Sequence, residues 1–205
     1  MLKKVFAAAV LSACALGAQA TPIASVAANT NPSEFITLAS GNGIGQVSGG
    51  SLYSGGSVYT EAGRVYAAVP KPPGGTTVGT WLAAGPLNIN NGGGDANLHL
   101  STQFVSFLWG SSDISNELVV VTNLGRYSYK TENLPEVFNT SFRNVYIAFS
   151  TDGNELITDL IFKMDKNFNS FEASNFSTTA VPAPASIALL GLGLIGIGAA
   201  RRKLA

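Results

Sequence analysis

The chain is expected to fold as an all-β protein, a single β-sandwich of jelly-roll type, and three observations point there. Between residues 21 and 180 the apolar residues alternate or cluster in short runs bounded by Gly, Asn, Ser and Pro, the pattern of short antiparallel strands. Nowhere in this body does a helical period persist beyond a turn or two. Candidate strands without covering helices leave two facing sheets as the way to bury their apolar faces, and a strand number of about eight favours the jelly-roll version.

The candidate strands, in order, are residues 34–39, 57–69 with a break near Gly63, 78–83, 96–100, 103–109, 117–122, 143–150, 157–164 and 170–176. Within 143–150, Val145, Ile147 and Phe149 share a face. Within 157–164, Leu160, Phe162 and Met164 share one face, and Asp159, Ile161 and Lys163 fall on the other. The second half of the body therefore reads as the firmer core. Residues 41–94 hold 15 of the 23 glycines, including Gly49-Gly50 and Gly92-Gly93-Gly94. Such density permits tight turns and bulges at an entropic cost, so this half reads as a partly mobile decoration. The glycines follow no fixed period, which argues against a repeat solenoid, and none precedes the Lys-Ser/Thr of a phosphate loop.

The 205 residues carry 12 Lys+Arg and 12 Asp+Glu, a net charge of zero. That balance excludes a polyanion-binding protein, so no nucleic-acid partner is expected. A hydrophobic share of 46% excludes a disordered tail. Setting aside Lys3, Lys4, Arg201, Arg202 and Lys203 leaves 7 basic against 12 acidic residues, so a body of charge −5 lies between basic ends. Basic clusters beside apolar runs are the mark of membrane targeting.

Residues 1–20 read as a secretory signal peptide: Lys3 and Lys4 open it, residues 5–17 are apolar, and Ala18-Gln19-Ala20 supplies the small residues Ala18 and Ala20 that signal peptidase requires. The secretory translocon and signal peptidase are thus implied partners, with Thr21 as the first mature residue. A rival cut lies at Leu11-Ser12-Ala13-Cys14, which matches a lipoprotein signal. Cys14 is the only cysteine, so cleavage after Ala20 leaves an exported domain, residues 21–180, that no disulfide can staple. At this size it must hold together by burying about 70% of the unfolded chain's surface.

At the other end, residues 187–200 are uncharged and rich in Leu, Ile and Gly, and Arg201, Arg202 and Lys203 follow at once. A transmembrane helix over 186–200 is expected. Residues 185–200 would span about 24 Å against a hydrocarbon core of about 30 Å, so it is marginally long. The basic cluster acts as a cytoplasmic stop and leaves the body on the outer side of the inner membrane. Just before this run, Pro182 and Pro184 strip two N–H donors and hold Val181, Ala183 and Ala185 in extended, accessible backbone. A protease cleft binds chain in that form.

The sequence Val181-Pro182-Ala183-Pro184-Ala185-Ser186, an apolar helix and a terminal Arg-Arg-Lys resemble the PEP-CTERM sorting signal of Gram-negative bacteria. Ala183 stands where that family usually has Glu. The resemblance covers residues 181–205 and implies an exosortase as partner, a transient inner-membrane intermediate, cleavage near 181–186, and release to the cell surface or an exopolysaccharide matrix. The body is similar to exported proteins with this tag in Trp81-Leu82-Ala83-Ala84-Gly85-Pro86, in the Trp-Gly-Ser-x-Asp-x-x-Asn segment at Trp109–Asn116, and in a closing strand at 171–176.

Chemistry is harder to find. His99, the only histidine, sits between Leu98 and Leu100, reads as a packing or surface residue, and has no Gly-x-Ser-x-Gly elbow to serve. No enzyme, no cofactor and no metal are expected, and a zinc site would lack Cys and a second His. Asp152-Gly153-Asn154-Glu155, with Asp95 and Asp113 elsewhere, offers oxygen ligands for calcium but reads first as a hairpin turn. A structural or interaction role without catalysis is the leading expectation. One alternative is a carbohydrate-binding sandwich with Trp81 and Trp109 as glycan contacts, among other strand aromatics such as Tyr53, Tyr59, Tyr66, Tyr127 and Tyr129. A further alternative is a glycan-active enzyme using two of Asp113, Glu117, Asp159 and Glu172.

Overall fold

The computed structural model describes residues 22–26, 35–55, 59–61, 64–67, 69–70, 79–85, 94–110, 112, 114–134, 144–164 and 170–179. The expected signal peptide with Ala18 and Ala20, the sorting segment from Val181, and the helix 186–200 with its basic stop lie outside the described residues. Among the described residues no helix is long and apolar enough to cross a membrane.

The body is all-β. Its strands are β1 (Ile23–Val26), β2 (Ala39–Ser40), β3 (Gln46–Gly49), β4 (Ser51–Ser54), β5 (Tyr59–Glu61), β6 (Arg64–Ala67), β7 (Thr80–Ala84), β8 (Ala96–Thr102), β9 (Phe104–Gly110), β10 (Asn116–Thr122), β11 (Arg126–Lys130), β12 (Val145–Ser150), β13 (Ile157–Met164) and β14 (Phe171–Ser177). Sheet A has the order β1-β12-β9-β14-β7-β4, sheet B the order β11-β10-β13-β8-β3-β2, and β5 pairs with β6 alone. Every pairing is antiparallel except the short β2–β3 contact.

Alternation along each strand turns one set of side chains inward. Leu98, Leu118, Leu160 and Phe162 of sheet B meet Leu82, Phe107, Ile147, Phe149 and Phe176 of sheet A in one continuous core. Phe162 joins the two layers: its ring stands edge-on to Phe107 at 5.6 Å, to Phe171 at 5.0 Å and to Phe176 at 5.8 Å. Pairs of this kind contribute about 0.5–1.5 kcal/mol each beyond the area they bury.

From β7 onward the chain enters the sheets in the sequence A, B, A, B, B, A, B, A. Within the layers these eight strands lie as β7-β14-β9-β12 and β8-β13-β10-β11.

Within the glycine-rich half, the described strands β3, β4 and β7 belong to the two large sheets. β3 adds to sheet B and β4 to sheet A, with Val47 buried at the seam. Gly49 and Gly50 carry the chain between layers, both at positive φ (70° and 58°), and a Cβ on Gly50 would lie 2.9 Å from the Ala83 carbonyl oxygen. Only glycine fits that crossing. The expected strand at 34–39 shrinks to Ala39–Ser40: Ile36 donates its N–H to the Phe176 carbonyl at 2.7 Å, and Leu38 packs in the core, without a ladder.

Candidate functional site

On the outer face of sheet B, three neighbouring strands assemble a polar row. Leu98 and Leu100 point into the core, so alternation turns His99 outward. The same rule applied to buried Val47 and Leu160 exposes Ser48 on β3 and Asp159 on β13. His99 faces Asp159 directly in the β8–β13 register, and its Nδ1 lies 2.8 Å from Asp159 Oδ1. Ser48 Oγ lies 3.0 Å from the other ring nitrogen, Nε2. Asn97 Nδ2, one outward position along β8, donates to the same Asp159 oxygen at 3.2 Å.

The carboxylate assigns the imidazole tautomer. Asp159 accepts the Nδ1 proton, which leaves Nε2 as a lone pair able to take a hydrogen bond from the Ser48 hydroxyl. His99 and Asp159 each keep 23% of their side-chain surface exposed, so the row is supported from beneath and open from above.

Farther along this face lies an open groove of about 330 Å³, lined by Asp95, Ile114, Glu117, Lys130 and Lys163. Glu117 accepts from Ser128 Oγ at 2.6 Å and pairs with Lys163 Nζ at 3.5 Å. Those partners, the Ser128 hydroxyl foremost, hold its carboxyl below the usual glutamate range.

Several expected site residues stand elsewhere. Trp81 and Trp109 are fully buried, which corrects their placement as glycan contacts: neither ring offers a face to solvent. Trp81 stacks on Tyr53 at 4.6 Å and donates Nε1–H to the Gly55 carbonyl at 3.2 Å, while Trp109 stacks on Phe171 at 4.5 Å. Tyr127 and Tyr129 lie opposite buried Val120 and Leu118 on the inward side of sheet B.

Among the described residues, Glu117, Asp159 and Glu172 do not converge as a glycosidase pair. Glu172 is buried in sheet A, where Ser170 Oγ donates to it at 2.6 Å, whereas Glu117 and Asp159 lie on the outer face of sheet B. Asp159 faces Val121, four residues from Glu117, about 13 Å at a strand's rise per residue and beyond the ~5–9.5 Å such chemistry uses. Asp113 lies outside the described residues. Asp152-Gly153-Asn154-Glu155 forms a turn with Gly153 at φ 61°. Glu155 is turned inward, where it accepts from Thr122 Oγ1 at 2.6 Å. Among the described residues no three His, Cys, Asp or Glu side chains cluster as metal ligands.

Sequence reasoning read His99 as a packing or surface residue and named Asp159 only as a candidate glycosidase carboxylate, so it did not bring either together with Ser48. Ser48 is 51 residues from His99 and Asp159 is 60, in segments with no shared motif, and only the strand order brings them together.

β14 ends at Ser177, fully buried between sheet neighbours, and the segment that begins three residues later matches the family model of the PEP-CTERM protein-sorting motif over residues 180–203. The chain carries a PEP-CTERM sorting motif. The matched span contains Val181, Pro182, Ala183, Pro184, Ala185, Arg201, Arg202 and Lys203. A PEP-CTERM motif implies export, a surface or extracellular location, and exosortase as the processing partner. No curated protein and no solved structure matches the chain.

Proposed function

We propose that this is a surface-displayed or exopolysaccharide-matrix protein whose body has a structural or interaction role. The secretory translocon exports it, and signal peptidase removes residues 1–20 after Ala20. The segment 186–200 then holds it in the inner membrane, with Arg201, Arg202 and Lys203 on the cytoplasmic side, until exosortase cuts near Val181–Ser186. The role requires no catalytic step by the body.

The observation that carries this reading is the sorting motif at 180–203, placed immediately after the last strand of a β-sandwich. The eight strands from β7 to β14 support a jelly-roll assignment, because a jelly roll alternates between its two layers in that sequence and pairs its first strand with its last, as β7 pairs with β14. The carbohydrate-binding alternative has lost its expected platform with the burial of Trp81 and Trp109.

The test is the mass of the mature protein from hosts with and without exosortase. A C-terminus near 181–186 in the first and an intact Arg201-Arg202-Lys203 tail in the second is the expected result. An intact tail in both hosts would overturn the proposal.

A further inference from the structure

We propose that Ser48 is an activated nucleophile that accepts acyl groups from carboxylic esters, with His99 as its general base and Asp159 as the residue that positions the imidazole. Display at the cell surface does not require such chemistry, and the inference stands on the geometry of sheet B alone.

A serine hydroxyl is a weak nucleophile unless a base takes its proton as it attacks. Ser48 Oγ lies 3.0 Å from His99 Nε2, within reach for that transfer. The Nδ1–Asp159 contact of 2.8 Å keeps the free lone pair on Nε2 and stabilises the imidazolium that forms once the proton has moved. Asn97 adds a second donor to the same carboxylate oxygen, and all four side chains stand on paired strands that hold them in register. Nucleophile, base and orienting acid are recognised by this geometry rather than by order along the chain.

The step balances. Ser48 Oγ bonds to the ester carbonyl carbon while its proton passes to His99 Nε2. The tetrahedral intermediate then collapses, the bond to the alcohol oxygen breaks, and His99 returns the proton to the departing alcohol. Water, entering by the same route, hydrolyses the acyl-serine and restores the hydroxyl. The row lies on an open sheet face, so bulky esters can reach it.

The protein as recovered from its host, treated with a biotinylated fluorophosphonate whose phosphonyl-serine resists hydrolysis, should carry one adduct, mapped to Ser48 by peptide mass spectrometry. A positioned general base contributes about 10²–10⁴-fold, so His99→Gln should slow modification of Ser48 by that order. Asp159→Asn should slow it too, with recovery in Asp159→Glu. Added imidazole should restore part of the rate in His99→Ala, which a merely structural histidine would not allow. Thermal melts of each variant separate lost chemistry from lost folding. No adduct on Ser48 in the wild type, or an equal rate in folded His99→Gln, would overturn the proposal.

Discussion

Asn175 donates from Nδ2 to the Tyr146 hydroxyl at 2.7 Å, with both residues buried. Asn175 is also, among the described residues, the one non-glycine at positive φ (54°), and it sits where β14 loses register with β9 between Ser174 and Ser177. Asparagine tolerates the left-handed region better than most residues, and here its amide ties the resulting bulge to β12.

Substitution at this bulge should therefore be graded. Asn175→Leu adds left-handed strain of roughly 1–2 kcal/mol to a lost hydrogen bond of about 0.5–1.5 kcal/mol. Asn175→Gly loses the side-chain bond to Tyr146 without adding that strain. Urea denaturation should rank wild type above Asn175→Gly, and Asn175→Gly above Asn175→Leu.

The buried tryptophans should behave as packing residues. Trp81→Ala and Trp109→Ala are each expected to lower stability by about 3–5 kcal/mol, the usual cost of emptying a large core position. Thermal unfolding checks this directly. A variant that kept its melting temperature would contradict the burial described for Trp81 and Trp109.

Tyr129 links stability to alkaline pH. Its hydroxyl donates to the Pro22 carbonyl at 2.7 Å, and burial, reinforced by the nearby Tyr127 and Glu155, pushes its pKa up to about 12. The folded protein thus holds this proton more tightly than the unfolded chain, whose tyrosines titrate near 10. The contribution is whole below pH 10 and is lost as pH rises through 12. Denaturation in urea across that window should show a shallower decline for Tyr129→Phe than for the wild type.

Glu117 acts at the acid end. Its lowered pKa favours the folded state above the ordinary glutamate range, and the benefit disappears as pH falls through the folded-state value. Because the Ser128 hydrogen bond, and after it the charge and hydrogen bond of Lys163, lower this pKa, Ser128→Ala and Lys163→Met should each raise the Glu117 pKa in an NMR titration. Both Glu117 and Lys163 are partly exposed, so the ion pair itself contributes at most about 1 kcal/mol and should weaken with salt.

The strands that were legible in the sequence are those whose alternation marks a core face. β13 spans the expected 157–164 without change, because Leu160 and Phe162 face inward between Asp159, Ile161 and Lys163. β3 and β4 were hidden because each is four residues long and places a single residue, Val47 or Leu52, against the main core, and their pairing is supplied by β8 and β7. β11 was hidden because Tyr127 and Tyr129 alternate with Arg126, Ser128 and Lys130, so its inward face is aromatic and only half-buried. The Ser48–His99–Asp159 row was illegible for a different reason: each residue is ordinary in its own strand, and the chemistry arises only from long-range pairing.

The position of β14 has a consequence for the order of events during export. It fills the slot between β9 and β7 and brings Phe171 and Phe176 to the aromatic core, so a chain that has not yet emerged past this strand lacks the keystone of sheet A. Completion of the sandwich therefore waits until Ser177 has emerged, by which time the sorting motif is only three residues behind. A translation product truncated before β14 would be both unable to close its core and unable to present its tag, so a single lesion disqualifies it twice.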